Sequence, residues 1–110
     1  MVAISRTAAA ALGALGTRIE IRRRSLAWSI EDAAARLGVN PRTLRAIEHG
    51  KPTVNVGSVF AYADLVGVRL FGLEGEELVR AQRAGEETLA LIPPLPTGPA
   101  RTALDDEPGF

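Results

Sequence analysis

Two helix-start signals, eleven residues apart, limit how the middle of this chain can fold. Ser29 is a favoured N-cap residue, and Asp32 three positions later can complete a capping box. Asn40 is a second N-cap, and Pro41 suits the first turn of a helix because no N–H is needed there. Gly38, between the two signals, suits the left-handed residue that ends a helix. The two predicted helices cover about residues 30–37 and 41–49, with Gly50 after the second.

Two short helices joined by about three residues around a glycine form a helix-turn-helix arrangement. Three further helices are predicted from apolar spacing and caps, at about residues 7–24, 56–66 and 74–92; the alternative for the last is a split at Gly85. The chain is therefore expected to be all-α. We expect a helix-turn-helix domain over 7–73, a helical extension over 74–92, and a Pro-rich, flexible, acidic tail over 93–110.

The net charge is zero, but the two halves of the chain differ. Residues 1–52 carry nine Lys or Arg against four Asp or Glu, a net charge of +5, and residues 53–110 carry the reverse, a net charge of −5. A basic first half suits a phosphate-bearing partner, although chance clustering would give the same pattern.

Composition argues against several other classes of protein. The chain has no Cys, so it offers no thiol nucleophile, and none of its His, Asp and Glu residues have metal-ligand spacing. No stretch approaches the ~20 apolar residues of a membrane span. We therefore expect a cytoplasmic binding protein without a cofactor, and not an enzyme.

The second helix of the motif has two distinct faces. Leu44 and Ile47 lie three apart and should pack, with Val39, on the preceding helix. Arg42 and Arg45 then point outward, where arginine is suited to bidentate contact with guanine and to binding phosphate. The alternative is a solvated helix with two surface arginines. The other outward residues of this segment are Pro41, Ala46 and His49.

Flanking residues extend this prediction. Ser29, at the start of the first motif helix, should present free N–H groups and a positive dipole to a phosphate, and Lys51 should reach the backbone on the other side. Alternatively, Ser29 is only a cap and Lys51 is only solvated. Glu48 faces away from phosphate, and its expected partner is Arg23 in a partly buried ion pair, the alternative being an exposed Glu without a partner.

Residues 15–68 resemble the XRE (Cro/lambda-repressor-like) helix-turn-helix family. The matching landmarks are Leu15-Gly16, Ile19, Ala34, Leu37-Gly38-Val39, Thr43-Leu44, Ile47-Glu48 and Gly50. The resemblance implies a compact five-helix fold, binding to double-stranded operator DNA, and a two-fold homodimer. It places base-reading positions on Pro41, Arg42, Arg45 and Ala46, phosphate contacts near Ser29, Ile30, Thr43, His49 and Lys51, and a structural ion pair on Arg23 and Glu48.

Two residues depart from that family. Ile30 stands where the family often has Gln, and Pro41 cannot donate to a base, so base reading is expected to rest on the arginines. The candidate DNA-binding residues are Ser29, Asn40, Pro41, Arg42, Thr43, Arg45, Ala46, His49 and Lys51.

A narrower resemblance concerns residues 50–68 and the tail ending in "DDEPGF". Both are similar to HipB-like antitoxins, which are often paired with HipA-like kinase toxins. This resemblance implies an antitoxin that represses its own operon and holds a toxin protein. The alternatives are a stand-alone XRE-type repressor and a pure protein-interaction module.

Overall fold

The computed structural model describes residues 3–96 of the chain. Within them lie five α-helices and no strand, apart from one isolated bridge between Leu70 and Leu73. The helices are α1 (Arg6–Ser25), α2 (Ile30–Leu37), α3 (Pro41–Glu48), α4 (Val56–Val66) and α5 (Gly75–Leu91). The predicted all-α class is confirmed.

The helix ends follow the caps. Helices α2 and α4 have the predicted bounds, and α4 is capped by Asn55, whose side chain accepts from the Ser58 N–H at 3.1 Å. Helix α1 is one residue longer at each end than predicted, and at its start Ser5 supplies an N-cap whose side chain accepts from the Ala8 N–H. Helix α3 ends one residue early, with His49 as its C-cap.

Of the two alternatives for the last helix, continuous or split at Gly85, the structure shows the continuous one. Helix α5 runs without a break from Gly75 to Leu91, two residues shorter than predicted. A glycine inside a helix costs only about 1 kcal/mol relative to alanine, so one glycine does not end a helix of this length.

The first four helices enclose one core. Ile19, Leu44, Tyr62 and Val66 are its largest fully buried side chains, one from α1, one from α3 and two from α4. The small α2 residues Ala33 and Ala34, also buried, let α2 come close to its neighbours. Because α3 places Leu44 in this core, its orientation is set by three other helices.

Glycine permits a closer contact between α1 and α3 than any other residue would. A Cβ on Gly16 would lie 2.5 Å from the Ile47 carbonyl oxygen and 2.6 Å from that of Glu48. Gly50, with φ +69°, follows the C-cap of α3, and a Cβ there would lie 2.9 Å from the Gly13 backbone. The end of α3 therefore rests directly on the backbone of α1.

Contacts divide the chain into two units, with the boundary between Glu74 and Gly75. In the second unit α5 has no buried residue, and Val79 and Leu89 are among its exposed apolar side chains. Residues 93–96 are exposed and lack regular structure, whereas the rest of the predicted tail, 97–110, lies outside the described residues. Within residues 3–96, no helix combines the length and the apolar character that crossing a membrane requires.

Candidate nucleic-acid interface

Both ends of α3 are closed by local hydrogen bonds. Asn40 caps the start, its Oδ1 accepting from the Arg42 N–H at 2.7 Å, and Pro41 occupies the first turn. At the other end the Lys51 N–H donates to the Ala46 carbonyl at 3.0 Å. The turn joining α2 to α3 has the predicted three residues, with Gly38 at φ +76°.

The two faces of α3 differ as the sequence predicts. Leu44 and Ile47 are buried in the core, while Arg42, Arg45 and His49 are exposed. The remaining candidate residues lie at the edge of the outward face or beside it: Pro41, Thr43 and Ala46 are half-buried, and Ser29, Asn40 and Lys51 are exposed.

A buried polar cluster ties the inner side of α3 to the rest of the domain. Arg23 Nε donates to Glu48 Oε2 at 2.7 Å and Arg23 Nη2 donates to Glu48 Oε1 at 3.0 Å, forming a two-pronged ion pair. Arg23 Nη1 donates to the Trp28 carbonyl, and the Tyr62 hydroxyl donates to Glu48. The cluster thus joins α1, α3, α4 and the residue before the α2 cap.

The pKa values of Arg23 and Tyr62, the two residues that donate to Glu48, are both raised. The hydrogen bonds that Arg23 donates to the Glu48 carboxylate raise the pKa of Arg23 above its usual value, so the guanidinium stays charged although it is buried. Burial raises the pKa of the Tyr62 hydroxyl, and its hydrogen bond to Glu48 raises it further. Among residues 3–96 no buried side-chain nitrogen or oxygen lacks a hydrogen-bond partner, so the cost of burying these groups is offset.

The two outward arginines have different surroundings. Arg45 Nη2 donates to Glu31 Oε2 at 3.1 Å, which bridges α3 to the first turn of α2. Arg42 has no ion pair with any carboxylate of residues 3–96. Among residues 3–96, one arginine of the face therefore has a carboxylate partner and the other has none.

A family model described as helix-turn-helix matches residues 19–73, which is half of the chain. The chain belongs to the XRE-type helix-turn-helix family. Proteins of this family are DNA-binding transcriptional regulators, which is the class of function the outward arginines of α3 suit. A search of curated proteins gives no match.

The N-terminus of α2, which the sequence predicts as a phosphate contact, is partly occupied by its own capping box. Asp32 Oδ2 accepts from the Ser29 N–H, and Ser29 Oγ accepts from the Asp32 N–H, both at 3.0 Å. The Ser29 backbone bond lowers the pKa of Asp32. In the first turn of α2, only the backbone N–H groups of Ile30 and Glu31 therefore remain for a phosphate. The Ser29 hydroxyl can still donate its own proton.

The sequence predicts no site role for two residues: Tyr62, which is buried against Glu48, and Glu31, which contacts Arg45. Tyr62 could have been suspected, because a buried tyrosine hydroxyl requires a partner. The Glu31–Arg45 contact gives no sequence signal, because its partners lie 14 residues apart on two helices.

Proposed function

We propose that this protein is a sequence-specific repressor that places the outward face of α3 in the major groove of operator DNA. The observation that carries the proposal is the geometry of α3: Leu44 and Ile47 are locked in the core, which turns Arg42 and Arg45 to solvent. Arginine reads guanine through a bidentate contact, and half-buried Ala46 beside it lets the helix approach the bases.

Phosphate contacts would come from both sides of α3. Lys51 and His49 are exposed at the C-terminal end of α3, and Ser29 is exposed at the start of α2. Thr43 and the capping residue Asn40 complete the set. The +5 charge of residues 1–52 supports this placement, because phosphate neutralisation supplies much of the affinity of such proteins for DNA.

We further propose a cytoplasmic homodimer that binds two half-sites related by two-fold symmetry. A single short helix reads few base pairs, and a dimer doubles the site. The turn at Phe71 is our candidate for part of the dimer contact. The side chain of Phe71 is 79% exposed, and its ring contacts the ring of Phe60 edge to face.

Selection from a random duplex library, followed by binding measurements, tests the main proposal. The selected site should be palindromic, and affinity for it should fall as salt rises. Arg42→Ala and Arg45→Ala should each weaken binding by about 1–3 kcal/mol and relax preference at one base pair per half-site. Unchanged affinity in both variants would refute the assignment of α3 as the reading helix.

A second candidate function is the antitoxin of a HipBA-like pair, which represses its own operon and binds a HipA-like kinase toxin. It rests on the resemblance of residues 50–68 and on the acidic charge of residues 53–110, which suits a basic protein partner. Co-purification with the product of the adjacent gene tests it. A complex that weakens on deletion of residues 93–110 is expected, and the absence of any complex would leave the stand-alone repressor.

A further inference from the structure

Arg42 and Arg45 are the same residue type, three apart on one exposed helix face, but only Arg45 has a carboxylate partner within residues 3–96. The side chains of Glu31 and Arg45 are 67% and 54% exposed. Solvent therefore screens the attraction between them, and the pair adds little to folding stability. What the contact does restrict is the position of one long, otherwise mobile side chain.

The chemistry of the contact leaves Arg45 able to read a base. A guanidinium has five N–H donors in a planar fork, and Glu31 receives one of them through Nη2. The other donors can still form a bidentate contact with guanine O6 and N7. An arginine held in one orientation loses less conformational entropy on binding than a free one does.

The position of Glu31 would also be unfavourable for DNA binding if this side chain were only a solvated surface residue. It lies in the first turn of α2, the turn whose free N–H groups would favour phosphate, and it carries negative charge there. Close to DNA, that charge repels the phosphates of every sequence alike. Repulsion lowers non-specific affinity, while a fixed Arg45 preserves affinity for the correct base.

We propose that Glu31 is a specificity-determining residue that fixes the guanidinium of Arg45 and so sets its base preference, whereas Arg42 reads its base without such help. The inference rests on the proposed reading of DNA by α3. Its consequence is that the base pair read by Arg45 depends on two side chains from two helices.

The test is selection from a random duplex library by the full-length wild-type chain and by Glu31→Gln, Arg45→Ala and Arg42→Ala. In Glu31→Gln we expect the preference to fall at the base pair that Arg45→Ala also affects, by about two- to fivefold, the size that exposed ion pairs give. The base pair affected by Arg42→Ala should keep its wild-type preference.

Two further variants separate position from charge. Glu31→Asp keeps the charge but is one methylene too short for the same contact, so it should lose the preference as well. Glu20→Gln removes a comparable carboxylate, which pairs with Arg24 at 2.6 Å on α1, and it should select the wild-type site.

The outcomes are distinguishable. A wild-type motif selected by Glu31→Gln overturns the inference and leaves the proposed function intact. Equal loss of preference at every base pair, or a wild-type motif from Glu31→Asp, also overturns it, because Glu31 would then act through charge alone. If the wild-type chain enriches no sequence at all, the proposed function itself fails.

Discussion

Gly16 lies so close to Ile47 that a methyl group on Gly16 would stand 2.5 Å from the Ile47 carbonyl oxygen. The obstacle is backbone at the end of α3, which cannot rotate away as a flexible side chain can. The position of α3 on α1, and with it the direction of the outward arginines, therefore depends on residue 16 being glycine.

Gly16→Ala should destabilise the protein, because α1 and α3 must move apart to admit the methyl group. We expect a loss of about 1–3 kcal/mol or more in the free energy of unfolding, the usual cost of overpacking. Urea denaturation followed by circular dichroism measures it.

Gly13→Ala, one turn earlier on α1, is the matched control. A Cβ on Gly13 meets no atom within 4 Å, so the gain in helix propensity should stabilise the protein by about 0.5–1 kcal/mol. Equal effects of the two substitutions would contradict the close contact between α1 and α3.

Glu48→Gln should be severely destabilising. It leaves the buried guanidinium of Arg23 without a counter-charge, and losing one partner of a buried ion pair costs about 3–5 kcal/mol. The free energy of unfolding in urea is again the readout. In the more exposed pair, Glu20→Gln should cost less than about 1 kcal/mol; a loss of the same size as in Glu48→Gln would refute the difference we assign to burial.

Stability should fall at alkaline pH through Tyr62, the only tyrosine of the chain. The pKa of Tyr62 is raised by burial and by its bond to Glu48, whereas an unfolded tyrosine has a pKa of about 10. The stabilisation is fully present below about pH 10. Above it the unfolded chain loses its proton first, so the free energy of unfolding drops by about 1.4 kcal/mol per pH unit until the folded tyrosine ionises as well.

Tyrosinate absorbance and unfolding curves across that pH range measure this effect. Tyr62→Phe lacks the ionising group, so the difference between the two proteins isolates Tyr62 from the other groups that titrate there. A tyrosine that ionises near pH 10 in the folded protein would contradict its burial against Glu48.

Lys51 should contribute to binding without reading sequence. Lys51→Ala is expected to weaken binding to all duplexes alike and to reduce the salt dependence by about one unit of slope. Lys51→Arg keeps the charge and should keep the slope. Binding isotherms at several salt concentrations give the result, and a change in the selected motif would instead indicate a base contact.

Much of this fold could be predicted because its signals are local. Ser29, Gly38, Asn40 and Pro41 act within three or four residues of their own positions, so the bounds of α2 and the start of α3 follow from them. Whether Gly85 breaks α5 is less clear from the sequence, because the small cost of one glycine must be weighed against the stability of the whole helix. The partner predicted for Glu48 came from family resemblance as well as from the direction in which that residue faces.

The rest of the site depends on three-dimensional relationships between helices. Nothing in the spacing of Glu31 and Arg45 shows that α2 brings them together, because the angle between α2 and α3 is set by core packing. Tyr62 and Glu48 are likewise 14 residues apart. The hydrogen bonds between Ser29 and Asp32 are predictable from the sequence as a capping box. That they leave fewer N–H groups for a phosphate becomes clear only when each N–H is assigned a partner.

The cluster of Arg23, Glu48 and Tyr62 has a consequence for protein engineering. The segment from Ser29 to Gly50 looks like a portable module, but its second helix, α3, carries a buried carboxylate that needs an arginine and a tyrosine from outside the segment. Grafted onto a scaffold that lacks both, the segment would bring an unpaired charge into the new core. A chimera that exchanges DNA specificity should therefore transfer only the outward side chains and retain the host's own buried residues.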